Sequence, residues 1–328
     1  MASHRTFGAL ALALLGACHG REVREPLHGS EPALVFTRSA MGARFQIALP
    51  GDDEEQLLEL AERCFAEVER LERLLSNWSP SSAISRLNAD PEPGRRSIDP
   101  ELARVLRAAL DFCAESDGAF DPTVGALLRA LGFYDQQPVR APTPAEREAL
   151  LARTGCGLLT VGSDAAEAFV ERSIAGIEID LSGVSKGWAV DRVVSVLRRA
   201  GVTDAFVAAG PSTVYGLGSG PDGRGWPFEV PAPDGGTQTW RLRDEAVATS
   251  GSLAFTVDVG GVEESHVIDP STGHPVRHTI RTTVFRCASA TEADMTSTAL
   301  LVMGAERGAA WLAERGGGLQ ERAVFVRR

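Results

Sequence analysis

The 328-residue sequence has no apolar run long enough to cross a bilayer. Its N-terminal apolar stretch, Phe7 to Ala17, covers 11 residues, whereas a spanning helix needs about 20. Cysteine is scarce, with five in the chain. No two form a C-x-x-C pair, which argues against a thiolate metal site or a dithiol redox motif. Basic residues are in deficit: a net charge of −11 argues against a nucleic-acid partner, because phosphate binding needs clustered Lys and Arg. G-x-x-x-x-G-K-[ST], G-x-S-x-G and H-E-x-x-H are all missing, so P-loop, nucleophile-elbow and zincin chemistry find no support. Ser250, His266 and Asp269 lie close together in sequence, but without an elbow they are a weak sign of a triad. Gly218, Gly220 and Gly223 do satisfy G-x-G-x-x-G. A dinucleotide fingerprint must open a helix, however, and here "RGWPFEV" follows, which predicts a hairpin loop. No period of about 20–50 residues marks a repeat architecture.

What is present begins with Arg5 ahead of the short apolar stretch, the pattern of a secretory signal over 1–17. Leu15-Gly16-Ala17-Cys18 resembles the lipobox of bacterial lipoproteins, in which cleavage leaves the cysteine as a lipidated N-terminus. Residues 18–33 then read as a polar tether, with Pro26 and Pro32 discouraging a helix. Residues 34–328 are expected to form a single domain, and 44% hydrophobic residues supply ample core material. Of the remaining cysteines Cys64, Cys113, Cys156 and Cys287, the first two sit in apolar helical patterns. Buried free thiols are expected, although an exported protein could form disulfides.

Alternation predicts strands at 34–38 and 44–49 on either side of a Met-Gly. Leu57, Leu58, Leu60, Ala61, Phe65, Val68 and Leu71 form a helical stripe over 54–75. "SNWSPSSAISRLN" at 76–88 reads as a loop holding Trp78. Helices are predicted at 99–116, after "DGAFDPTVG", and at 143–153, with short strands over 157–180. "IDLSGVSKGWAVDRVVSVLRRAG" reads as strand, loop and helix ending at Gly201, and "AFVAAG" as a buried strand. Residues 212–290 are mostly strands and turns, with 219–237 a surface loop; helices near 292 and 305–315 and a strand at 322–327 follow. Without a regular βαβ repeat, the class is α+β.

"EADMTSTALLVMG" puts Asp294 and Thr298 one helical turn apart ahead of an apolar run. Thr291 and Asp294 have the spacing of a capping box. Alternatively, an Asp oxygen and a Thr hydroxyl at i and i+4 project together as ligands for a hard cation. Spacing alone leaves both open.

Seven segments occur in order: "MGARFQI", "SNWSPSSAISRLN", "GAFDPTVGALL", "IDLSGVSKGWAVD", "VATSGS", "SHVIDPSTGHPV" and "EADMTSTALLVMG". Together, over roughly residues 35 to 305, they resemble the ApbE-like family of FAD:protein FMN transferases. The resemblance implies an α+β fold of mixed, mainly antiparallel sheets with packed helices, related to the T-fold. It also implies an exported enzyme that splits FAD with Mg²⁺, or alternatively Mn²⁺, joins FMN to a Thr or Ser of an acceptor protein, and releases AMP. Asp294, Thr298 and the carbonyl of Gly183 match the family's metal ligands. Met41, Trp78, Ala119, Phe120, Asp121, Asp180, Lys186 and Ile268 match positions lining the FAD site. His266 matches the motif histidine, either as a base for the incoming hydroxyl or as a partner of the "DPSTG" turn.

Several positions depart from the pattern. Pro211 and Ser212 stand where a second glycine and an Asp or Asn are usual. Ala43 replaces a Thr, and Ala126 and Leu131 replace a Pro and a Trp. These departures raise two other expectations: an FAD-holding lipoprotein without transfer, or an FAD pyrophosphatase.

Overall fold

In the strand Ala43–Pro50, Phe45, Ile47 and Leu49 enter one apolar core while Ala48 enters another. The two-residue side-chain period of a strand causes that split. It recurs next door, with Val207 and Ala209 opposed to Ala208, Tyr215 and Leu217 to Val214, and Ala246 and Ala248 to Val247. These strands belong to one eight-stranded sheet. Its spatial order is Val23–Glu25, Ala33–Ala40, Ala43–Pro50, Ala205–Ala209, Thr213–Leu217, Glu245–Gly251, Ile280–Cys287 and Ala323–Arg327. Every neighbouring pair is antiparallel.

This computed structural model describes residues 23–25, 33–135, 139–164, 167–233, 236–252, 254–277 and 279–327. The expected signal segment, Cys18 and most of the tether lie outside the described residues. Among those described, the helices are α1 (Glu54–Leu75), α2 (Ala83–Ala89), α3 (Pro100–Glu115), α4 (Gly125–Ala130), α5 (Pro144–Leu151), α6 (Ser185–Arg199) and α7 (Ala290–Glu314). α1, α6 and α7 cover the face of the sheet with the larger side chains. The hairpin Trp226–Pro231/Thr237–Leu242 closes the other face with Trp226, Val230 and Leu242. A three-stranded sheet (Gly94–Ile98, Ala168–Arg172, Leu159–Ser163) packs against α3. The class is α+β, as expected.

Several local expectations need correction. The 76–88 segment is not all loop: Ser82 accepts a hydrogen bond from the Ser85 amide at 3.1 Å and starts α2. Val23–Glu25 of the expected tether pairs with Ala33–Val35 as an edge strand. Within 219–237, Trp226–Pro231 is a strand whose tryptophan is buried. The two helices predicted near 292 and at 305–315 are both present within the α7 span, parted at Gly304, whose φ of 75° is not helical. Cys113 is not a free thiol, because it forms a disulfide with Cys156 that ties α3 to the start of the strand Leu159–Ser163. Cys64 and Cys287 are buried and free, as expected. The G-x-G-x-x-G glycines do form a loop between strands. There the amides of Ser219 and Gly220 donate to the Asp204 carboxylate at 2.7 and 2.9 Å.

Candidate functional site

α7 begins at Ser289, whose hydroxyl accepts from the Glu292 amide at 3.3 Å. The capping box Thr291/Asp294 is therefore absent: Thr291 already lies inside the helix and donates its hydroxyl to Asp191 of α6 at 2.6 Å. Asp294, released from capping, is buried at 4% exposure in the seam between α6 and α7. Its Oδ2 accepts from the Gly187 amide at 2.9 Å, and its Oδ1 faces the Thr213 hydroxyl at 3.5 Å. The seam is tight because residue 187 has no side chain: a Cβ there would lie 2.3 Å from the Ala290 carbonyl oxygen. Burial raises the Asp294 pKa, opposed by the positive charge of Lys186.

One turn along α7, the Thr298 hydroxyl meets Ser250 at 3.1 Å, and Ser250 meets Ser297 at 2.8 Å. Gly183 adjoins this hydroxyl, since a Cβ built on it would be 3.5 Å from Thr298 Oγ1. The same Cβ would come within 2.9 Å of the Phe120 ring, so the absence of a side chain at 183 is a steric requirement here. A buried carboxylate, hydroxyls and a nearby backbone loop form an all-oxygen donor set, which suits a hard divalent cation and offers nothing to a soft one.

The 179–183 loop is clamped by two residues the sequence reading did not single out. Asn77 and Asn88 each donate to the Ile179 carbonyl at 2.7 Å, and accept from Leu181 and Ile179 amides at 2.9 Å. The Asp180 amide donates to the Pro122 carbonyl at 2.7 Å, joining this loop to the Ala119–Asp121 segment. Asp121 is nearly buried and accepts from both the amide and hydroxyl of Thr123, at 2.7 and 2.6 Å. Desolvation by burial raises its pKa. Phe120 packs edge-on against Phe112 of α3.

A wall of rings flanks the loop. Trp78, exposed at 44%, meets Tyr134 and Phe255 edge-on at centroid distances of 5.7 and 5.3 Å, and Phe255 meets His266 at 6.0 Å. Tyr134, also missed in the sequence, donates its hydroxyl to Asp180 Oδ2 at 2.8 Å. Burial, then the Asp180 charge, push the Tyr134 pKa well up, which keeps it a donor. His266 pairs through Nδ1 with the Phe255 carbonyl at 2.9 Å, not with the "DPSTG" turn. A carbonyl only accepts, so Nδ1 carries the proton and Nε2 keeps its lone pair. Burial lowers the pKa of His266, and Lys186 lowers it further. Ile268 lies behind this wall in a small core with Leu127 and Phe133.

Lys186 is half-buried at the start of α6, and it is the only lysine in the 328-residue chain. Met41 stands apart from the other candidates. It forms the turn of the first hairpin with φ of 51°, held by its amide donating to Glu72 of α1 at 2.7 Å, shortly before Asn77 and Trp78. A bulky residue at positive φ is uncommon and costs strain. Pro211 lies exposed in the turn after Ala205–Ala209, where the Gly210 amide donates to the Arg44 carbonyl at 3.0 Å.

The model of the ApbE family matches residues 41–322. The FAD:protein FMN transferase of Escherichia coli K12 is 28% identical over 304 residues, covering 91% of this chain and 86% of that protein. The FAD:protein FMN transferase of Rhodobacter capsulatus is 31% identical over 314 residues, covering 93% of this chain and 57% of that protein. Among solved structures, the flavinyl transferase ApbE of Pseudomonas stutzeri superposes with a TM-score of 0.79 at 27% identity, covering 91% of this chain and 92% of that one.

Proposed function

Since this chain belongs to the ApbE family and is a flavin transferase, we propose that it moves FMN from FAD to a Thr or Ser hydroxyl of an acceptor protein and releases AMP. The observation that carries the reading is the buried Asp294 carboxylate, within electrostatic reach of Lys186 and one helical turn from the Thr298 hydroxyl that adjoins Gly183.

Asp294, Thr298 and the Gly183 carbonyl would hold Mg²⁺ or Mn²⁺, which when bound neutralises charge on the diphosphate of FAD. Lys186 supplies a second positive charge, needed because the chain as a whole repels polyanions. Trp78, Tyr134 and Phe255 offer ring faces and edges for the planar isoalloxazine or adenine. Asp180, Asp121 and the Ala119–Phe120 backbone fix the dinucleotide's polar groups, and Ile268 backs the ring wall from the core behind it. His266 Nε2 takes the proton from the acceptor hydroxyl, whose oxygen then forms the new bond to the FMN phosphorus. The phosphoanhydride bond breaks and AMP departs.

The Cys113–Cys156 disulfide supports export, because such bonds persist in oxidising compartments. It fits a lipoprotein anchored through Cys18 and facing the periplasm.

The test is incubation with FAD, Mg²⁺ and a candidate acceptor. Fluorescent flavin retained on the denatured acceptor is the expected result. AMP release without an acceptor would identify a pyrophosphatase, and FAD binding with neither product an FAD-holding lipoprotein that has lost transfer.

A further inference from the structure

A groove of about 610 Å³ lies between α1, α2, the strand Gly94–Ile98 and the start of α3. It shares no lining residue with the flavin and metal cluster. Four arginines line it: Arg70, Arg73, Arg86 and Arg96. In a chain with 44 acidic and 33 basic residues, that concentration of guanidinium groups runs against the overall charge.

The carboxylates of the groove are already committed. Asp90 accepts from Arg96 at 2.6 and 3.3 Å, and Asp99 accepts from the Glu101 and Leu102 amides at 2.7 and 3.4 Å as the cap of α3. Arg70 is pinned by Glu67 at 2.8 and 2.9 Å and by Glu101. Arg73 and Arg86 are different. Among the described residues neither has a carboxylate within ion-pair distance, and the Arg86 guanidinium is held only by the Ser81 carbonyl. Two pinned and two uncommitted guanidinium groups therefore share one groove, approached from three separate elements.

We propose that this groove is a second anion site that takes a phosphate group. A single carboxylate is satisfied by one guanidinium fork, whereas a phosphate offers three or more oxygens and up to two charges to forks arriving from different sides. The pinned Arg70 and Arg96 are held in place before the ligand arrives, which lowers the entropic cost of binding. The source is a free or monoester phosphate or the phosphodiester of a phospholipid headgroup, which presents two unesterified oxygens and one charge; guanidinium forks on unesterified phosphate oxygens are the recognition chemistry shared by both. This inference does not depend on the flavin chemistry above.

The test uses the full chain carrying Cys18→Ser, with the flavin site saturated by FAD. Inorganic phosphate is titrated by calorimetry, and sedimentation is measured with phosphatidylglycerol and with phosphatidylcholine vesicles. Saturable binding of inorganic phosphate supports the site with a soluble source. Binding to phosphatidylglycerol vesicles alone supports it with a headgroup source. The double variant Arg73→Ala/Arg86→Ala, which touches no residue of the flavin cluster, is expected to weaken that binding by about tenfold or more while flavin transfer is unchanged. Absence of saturable binding to both phosphate and phosphatidylglycerol vesicles, or binding undiminished in the double variant, overturns the proposal.

Discussion

The carboxylate of Asp191 on α6 holds the first turn of α7 by four hydrogen bonds, two of them from Thr291. Oδ1 accepts from the Ala290 amide at 2.8 Å, and Oδ2 from the Ser289 hydroxyl, the Thr291 amide and the Thr291 hydroxyl at 2.8, 2.9 and 2.6 Å. Both oxygens are thus spent on the N-terminus that presents Asp294 one turn later. A negative charge there also favours the positive end of the helix dipole. Together with the side-chain-free Gly187, this anchor sets the distance between α7 and the Gly183–Lys186 loop.

Asp191→Asn keeps the shape but removes the charge and makes one oxygen a donor facing donors. We expect a stability loss of about 1–3 kcal/mol by denaturant titration and a higher Mg²⁺ requirement for flavin transfer. The FAD-binding affinity measured without metal should change little. An unchanged Mg²⁺ requirement in a destabilised variant would reduce Asp191 to a structural cap.

Because Lys186 is the sole lysine, amine acylation addresses one side chain in the folded protein. Acylation should add one group per chain beyond any free α-amine and abolish flavin transfer. Prior saturation with FAD should slow the reaction at Lys186. Full activity in the modified protein would remove Lys186 from the phosphate side of the site.

How much of this was legible in the sequence depended on whether the signal was local. The stripe from Leu57 to Leu71 gave α1 because a helix repeats its face every few residues. Gly201 marked the end of α6 because a left-handed residue suits glycine, and its φ is 83°. The Asp294/Thr298 spacing was readable, but choosing between cap and ligand pair was not, since the actual cap, Ser289, and the competing acceptor, Asp191, meet only through the α6–α7 packing. Tyr134 and Asp180 are 46 residues apart, Asn77 and Ile179 are 102 apart, and the disulfide closes 43 residues. No periodicity encodes such pairings. Ser82 was a readable N-cap inside a run whose Ser and Pro content suggested only loop.

The disulfide is the next prediction. A cross-link closing 43 residues restricts the unfolded chain by about 4 kcal/mol in the chain-entropy treatment. Reduction, or a Cys113→Ser/Cys156→Ser double variant, should lower stability by up to that amount. It should also loosen Thr123, whose hydroxyl accepts from the neighbouring Gly155 amide at 2.6 Å. Comparing urea midpoints of the oxidised and reduced protein checks the first effect, and FAD affinity the second.

Tyr134→Phe separates the ring from its hydroxyl. The ring contact with Trp78 survives, while Asp180 loses a donor at 2.8 Å. Loss of about 0.5–1.5 kcal/mol predicts a several-fold increase in the KM for FAD with a smaller change in kcat. Tyr134→Ala, which also removes the edge of the wall, should cost more. Equal effects of the two variants would mean that the ring contributes nothing to flavin binding.

His266 supplies the pH dependence. Its Nδ1 proton is committed to the Phe255 carbonyl, so a base must act through Nε2, and burial lowers its pKa from 6.5. Transfer should therefore be on a plateau at neutral pH and fall on acidification with an inflection below 6.5. Stability follows the same direction. As pH drops below about 6.5, the unfolded chain takes up this proton before the folded one. The contribution from neutral burial is present above that value and is lost as pH falls through the folded pKa. His266→Gln can keep the hydrogen bond to Phe255 but cannot accept a proton. We expect kcat to drop by about 10²–10⁴-fold, with the acidic limb of the rate profile gone and FAD affinity retained. A variant that keeps both the rate and the acidic limb would place the base elsewhere and leave His266 as a half-buried ring against Phe255.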